Sequence, residues 1–273
     1  MWWIRLLSAL PNRVTIELTN RCNRNCKGCP RHQMRYPEGD MPLELFDTIV
    51  EQLPLETVIV PFFRGESLLH PRFADAMEKL QKFSDVQLAT NGDLVTHRTG
   101  EAILNSVSFL SLSLHTYTTR PMTGRTTELL HAANSRGIDT QVSIVDSLLP
   151  KGESKPFAEQ WLPHVDRVRI YKAHSHNGFG SLNPPPTDDR RPCRKPWTDI
   201  IIYWNGTVAL CNHDWDNRLN LGNASEHPLH TIWRSKNYIH TRVLHMTGNR
   251  RMVKSCRHCD HYSEERIGTL YTH

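Results

Sequence analysis

Short apolar runs alternate with segments of helical period along the first two-thirds of the chain. Strand-like runs fall at Arg13–Leu18, Thr57–Phe62, Asp85–Thr90, Phe109–Leu114, Thr140–Val145 and Arg167–Tyr171. Between the first two, residues 42–53 place Leu43, Phe46, Ile49, Val50 and Leu53 on one helix face, with Asp40 available as a cap. Residues 71–83 repeat the period through Phe73, Met77 and Leu80, and helices over 97–106, 126–136 and 156–162 complete the series. Strand–helix alternation of this kind predicts right-handed βαβ units around a parallel sheet. Six units are too few to close an eight-fold barrel, so the expected fold is α/β, a partial (β/α)6 TIM-like barrel.

Beyond Tyr171 the texture changes. Residues 173–192 are rich in Pro, Gly, Asn and Ser and read as loop and linker. Asp199–Tyr203 and Thr207–Cys211 then flank Trp204-Asn205-Gly206, a hairpin signal with Asn-Gly at the turn. A helix is predicted over 229–236, with Leu229, Ile232 and Trp233 on one side. The boundary is placed near residue 180: a core over 1–180 and a small β-hairpin/helix module over 181–273, packed by Trp197, Trp204 and Trp233.

Composition narrows this little. The 273 residues are 38% hydrophobic and 22% charged, enough for a sizeable core. A net charge of +5 is too weak to argue for nucleic acid. No run reaches the ~18 apolar residues of a membrane span, and the apolar start of the chain is broken by Arg5. Seven cysteines, an odd number, suit a metal-binding cytoplasmic enzyme better than a disulfide scaffold.

The chemistry gathers at those cysteines. Cys22, Cys26 and Cys29 are spaced C-x3-C-x2-C directly after the first strand. A [4Fe–4S] cluster normally takes four cysteine ligands, so a triplet holds three irons and leaves one open. Zinc is the alternative, with His32 the nearest fourth ligand, although structural zinc prefers four closed ligands. A second set lies in the last third: Cys193, Cys211 at the end of the hairpin, and Cys256-x2-Cys259. Four thiolates match a fully ligated iron–sulfur cluster, and a four-cysteine zinc knuckle accepts the same spacing.

The triplet and its strand-then-loop setting resemble the radical S-adenosylmethionine (SAM) superfamily, and the resemblance covers roughly the first 170 residues. It implies that SAM chelates the open iron and is reductively cleaved to a 5′-deoxyadenosyl radical. Phe63-Arg64-Gly65-Glu66 is similar to the family's Gly-Gly-Glu motif, with Arg64 in place of the first Gly. The resemblance makes Gly65 and Glu66 ligands of the SAM amino group. Ser67-Leu68-Leu69-His70-Pro71 continues the likeness with Ser67 for Pro. Thr90-Asn91-Gly92 matches the family's T-N-G, and Ser113 its SAM-binding serine, whereas His115 stands where an acid is usual. Arg125 is a candidate for the SAM carboxylate. The four later cysteines resemble the Twitch form of the SPASM extension, which implies one auxiliary [4Fe–4S] cluster.

Three plus four cysteines use all seven, so no thiol is left as a hydrogen donor for epimerisation. The expected reaction is hydrogen abstraction from a substrate C–H, deprotonation, and electron loss to the auxiliary cluster. That is the alcohol-to-ketone chemistry of the Twitch-bearing aminocyclitol dehydrogenases, which this chain resembles in size and motif order. Candidates for the proton acceptor are Asp146, Lys172 and His174, with His176 beside the last, all placed by position at the strand-end mouth. The expected partners are a small polar substrate and a reducing protein such as flavodoxin or ferredoxin. A ribosomally made peptide is the second substrate reading, and it would need a separate leader-binding partner. A zinc-stabilised binding module without catalysis is the reading from another class.

Overall fold

The computed structural model describes residues 10–34, 36–114, 124–173, 192–259 and 268–273. Six parallel strands, β1 (Arg13–Ile16), β2 (Val58–Val60), β3 (Gln87–Thr90), β4 (Phe109–Ser113), β5 (Asp139–Val145) and β6 (Arg167–Tyr171), form the frame. They alternate with α1 (Leu43–Val50), α2 (Phe73–Leu80), α3 (His97–Leu104), α4 (Gly124–Ser135) and α5 (Ser154–Trp161). All six strands fall where the apolar runs place them. The ladder thins between β2 and β3, where a single bridge from Ile59 to Val86 carries the connection. The result is an open α/β partial barrel of parallel strands.

Each helix turns its apolar face to the strands. Phe46, Ile49 and Val50 of α1 and Phe73, Met77 and Leu80 of α2 are buried in one core with Val14, Ile16, Leu110, Val142 and Val168. The caps are partly other than expected. Helix α1 is preceded by Pro42, whose fixed φ suits a helix start, and Asp40 instead forms an ion pair with Arg21. Helix α3 has a reciprocal box in which Thr96 and Thr99 cap one another's backbone.

Both barrel edges are extended by later parts of the chain. After α6 (Lys195–Thr198), strand β7 (Asp199–Ile202) pairs in parallel with β1, from Arg13 opposite Asp199 to Ile16 opposite Ile202. Strand β8 (Val208–Ala209) then pairs antiparallel with β7 as the Asn-Gly turn predicts, so the sheet order is β2-β1-β7-β8. At the other edge β9 (Gly268–Thr272) runs antiparallel to β6. The single helix expected near 229–236 is two: α7 (Leu229–Trp233) and α8 (Lys236–Met246), separated by Ser235, which caps α8 at the Tyr238 N–H. No helix among the described residues is long and apolar enough to cross a membrane.

Candidate active site

Alternation along β4, β5 and β6 gives the barrel a polar interior. Leu110, Leu112, Val142, Ile144, Val168 and Ile170 enter the core. The residues between them face the other way, with register partners Ser111–Gln141–Arg167 in one row and Ser113–Ser143–Arg169 in the next. Gln141 donates to Ser111 Oγ at 3.0 Å, and the Ser111 and Ser143 hydroxyls meet at 3.4 Å. Ser113 lies 3.5 Å from the Ser143 hydroxyl, in the same row. Ser143 and Arg169 were not picked out from sequence. The period-2 pattern of β5 and β6 carried the signal, but only the register shows that they share Ser113's row.

The cysteine triplet sits in the loop leaving β1, and that loop is anchored on several sides. The Asn20 amide donates to Pro37 O at 2.8 Å and accepts from Gly39 N–H at 2.8 Å. Arg24 makes a two-pronged contact with Asp93, 2.6 and 2.5 Å, and Asn91 donates to Asn23 at 2.8 Å. Thus the loop after β3 holds the triplet loop, and the Asn91 side chain is part of that tie. Cys22, Cys26 and Cys29 are all half-buried and unpaired by disulfide. Burial, then the neighbouring Cys29 and Cys22 charges, push the Cys26 thiol up to about 11. The Cys22 and Cys29 charges thus oppose ionisation of Cys26, and a cationic group, which deprotonates its ligands, suits such a donor set.

Gly65 is pressed against this loop. A Cβ there would lie 2.4 Å from Thr19 O and 2.5 Å from Arg21 O, so only glycine fits. The next N–H, on Glu66, donates to Arg21 O at 2.8 Å. Glu66 is itself buried. Its carboxylate accepts from Thr90 Oγ1 at 2.8 Å, Asn91 N–H at 2.8 Å and Leu68 N–H at 3.2 Å. Burial raises its pKa, against those hydrogen bonds and the Arg24 charge. Three donors occupy three of a carboxylate's about four lone-pair sites and leave room for one more.

Arg64 is the departure from the family motif. It is buried with Glu17, Nε to Oε1 and Nη2 to Oε2 both at 2.6 Å, and its guanidinium carbon lies 3.6 Å from the Tyr203 ring centroid. It also donates to Trp215 O at 3.1 Å, while Trp204 N–H donates to Glu17 at 3.2 Å. Arg64 therefore fastens the β2 loop to the segment after β7. Ser67, in place of the usual proline, donates to Pro61 O at 2.8 Å.

The remaining candidates divide. Arg125 is exposed at the second position of α4, beside Thr126, whose hydroxyl donates to Gly92 O at 3.0 Å. This brings the start of α4 against the T-N-G turn. Asp146 and Lys172 are exposed at the ends of β5 and β6, and Asp146 accepts the Ala173 N–H at 2.8 Å. His115, His174 and His176 lie outside the described residues.

The four later cysteines line one cavity, with His213 and His245 among its other walls. Among the described residues no three Cys, His, Asp or Glu converge on a single point; the four thiols ring a space. Burial pushes Cys211 and Cys256 well up, each reinforced by the other cysteines. The Cys211 sulfur accepts the His213 backbone N–H at 3.4 Å. Sulfur donors around a cavity, with N–H groups aimed at them, fit a thiolate-ligated cluster.

A parallel partial barrel with a thiol triplet at its mouth and a second thiol-lined cavity defines an iron–sulfur enzyme. The chain belongs to the radical SAM superfamily, whose family model matches residues 16–154, and it carries the SPASM iron–sulfur cluster-binding domain over residues 193–260. It is 23% identical over 264 residues to the S-adenosyl-L-methionine-dependent 2-deoxy-scyllo-inosamine dehydrogenase of Niallia circulans, spanning 94% of this chain and 96% of that protein. Among solved structures it is similar to BtrN in complex with AdoMet and 2-DOIA, with TM-score 0.72, 20% identity and coverage of 96% of this chain and 99% of that one. It is also similar to Streptococcus suis SuiB bound to the precursor peptide SuiA, with TM-score 0.70, 15% identity and coverage of 88% and 68%.

Proposed function

We propose that this protein is a radical SAM dehydrogenase that oxidises an alcohol carbon of a small polar metabolite, of aminocyclitol or sugar type, to the ketone. The observation that carries this reading is the likeness, over nearly the whole length of both chains, to the inosamine dehydrogenase. Two features of the chain agree with it. All seven cysteines fall in the two thiol groups, so none is left to return a hydrogen atom. The barrel interior carries hydroxyl, amide and guanidinium groups in register, donors and acceptors suited to a polyol or amino sugar.

In this reading Cys22, Cys26 and Cys29 hold the SAM-binding [4Fe–4S] cluster, and Cys193, Cys211, Cys256 and Cys259 hold the auxiliary one. Bound together, cluster and SAM supply a 5′-deoxyadenosyl radical, and the auxiliary cluster supplies an electron acceptor. The chain's own groups bind and orient. Gly65 lets its loop approach the triplet, Glu66 receives an ammonium group, and Ser113 and Arg125 offer a hydroxyl and a cation from the strand-end side. Asn91 keeps the triplet loop in place. Asp146, Lys172 and His174 are the groups at the mouth able to take the substrate proton. A flavodoxin or ferredoxin is the reducing partner, and unpaired thiols suit a cytoplasmic setting.

The test is anaerobic incubation of reconstituted protein with SAM, a reductant and a panel of aminocyclitols and sugars, with short peptides as a second panel. Formation of 5′-deoxyadenosine together with a product lacking two hydrogens, from the first panel alone, is the expected result. A modified peptide without a small-molecule product would establish peptide modification instead, the activity suggested by the likeness to SuiB.

A further inference from the structure

His245 lies on the inner face of α8 and is 1% exposed. Its ring touches two of the four cysteines that line the cavity. The Cys193 backbone N–H donates to Nδ1 at 3.2 Å, and Nε2 lies 3.4 Å from Cys256 Sγ. The first contact fixes the tautomer. A backbone amide can only donate, so Nδ1 carries no proton, and the single ring proton of a neutral imidazole must sit on Nε2. Nε2–H then has Cys256 Sγ as its acceptor. The ring of Trp197, edge-on at 6.1 Å between centroids, packs beside the imidazole.

We propose that His245 is a positioning residue for the auxiliary cluster, tuning it by donating an Nε2–H hydrogen bond to the Cys256 thiolate while its Nδ1 holds the Cys193 backbone. The inference rests on the reading that these four cysteines hold a cluster. Hydrogen bonds to ligand sulfur stabilise the more negative, reduced state and so raise the reduction potential. In a dehydrogenase that change acts in the useful direction, since it makes the cluster a better acceptor of the substrate electron. The His213 N–H on Cys211 adds to the same effect from the backbone, where no substitution can remove it cleanly. His245 is the contribution that side-chain replacement can isolate.

The experiment uses the full chain in a Cys22/Cys26/Cys29→Ala background, so that the auxiliary cluster is the only one present. Iron is counted, and the cluster is titrated with reductant under electron paramagnetic resonance. His245→Phe removes both ring contacts, whereas His245→Gln keeps an N–H donor near the position of Nε2. The expected result is unchanged iron in both variants, a lower potential for His245→Phe, and a potential closer to that of the parent for His245→Gln. An unchanged potential in His245→Phe overturns the proposal, and so does loss of iron in both variants, which would make the ring a structural support. A parent background holding no iron overturns the cluster reading itself and this inference with it; that result is recognised before any His245 variant is compared.

Discussion

Gly65 and Glu66 sit side by side and are constrained in different ways. At Gly65 the constraint is distance: the neighbours of an added Cβ are backbone carbonyls at 2.4 and 2.5 Å, which cannot rotate aside. Gly65→Ala is expected to displace the triplet loop and weaken SAM binding at least about tenfold, or ~1.4 kcal/mol. Gly124→Ala, where an added Cβ meets nothing within 4 Å, is the control expected to bind normally. Calorimetric titration of the reconstituted protein separates the two, and equal affinities would remove Gly65 from the site. At Glu66 the constraint is polarity. Three donors converge on the carboxylate, and Glu66→Gln would turn an amide NH2 toward one of them. A buried donor left without an acceptor costs about 1–3 kcal/mol. A drop in melting temperature is expected without SAM, with a further loss of affinity in its presence. A variant that binds SAM and melts as the parent does would refute the role given to this side chain. Both residues were visible in sequence as a motif, but the physical reason for Gly65 was not, because the carbonyls it meets lie some 45 positions away. His245 was hidden for another reason: it is one of 16 histidines, and nothing local distinguishes it.

Short apolar runs set between segments of helical period made the first six strands legible, since the strands of the parallel sheet alternate with helices that cover it. Two elements escaped that logic. The buried face of α8 is Tyr238, Thr241, Arg242 and His245, while Ile239, Val243 and Met246 are exposed. Its pattern is inverted, so an apolar stripe does not reveal the inner face. Arg242 is tolerated there because it donates to Pro196 O at 2.9 Å and to Trp233 O at 3.0 Å and stacks on Trp233. The parallel pairing of β7 with β1 was equally unreadable, because 186 positions separate their paired last residues, Ile16 and Ile202, and no turn links them. Arg64 and Glu17 belong to this junction. Removing one partner of a buried ion pair costs about 3–5 kcal/mol, whereas replacing both with apolar groups can be neutral. Glu17→Gln is therefore expected to lower the melting temperature strongly, and Glu17→Met with Arg64→Met to recover much of the loss. If the double variant is no more stable than the single, the pair contributes more than mutual charge compensation. Both variants are read by thermal unfolding of the protein as purified.

At the scale of the molecule, one sheet carries both thiol groups. The triplet leaves the end of β1, and Cys211 follows the β7–β8 hairpin built on the edge of that strand. The two sites should therefore be separable by substitution and joined in function. Wild-type protein reconstituted without oxygen is expected to hold about eight irons, two [4Fe–4S] cubes. The Cys22/Cys26/Cys29→Ala variant should hold about four and form no 5′-deoxyadenosine. A Cys211/Cys256→Ala variant should also hold about four, yet still cleave SAM slowly and fail to complete the ketone. In the proposed oxidation these losses differ because radical formation would need only the barrel mouth, while the second electron would leave the substrate through the cavity site. A Cys211/Cys256→Ala variant that makes product at the parental rate would remove the electron-acceptor role, although the superfamily assignment would stand. A wild-type count of about four, falling to none in the triplet variant, would leave the four-cysteine cavity without iron and return it to the zinc reading.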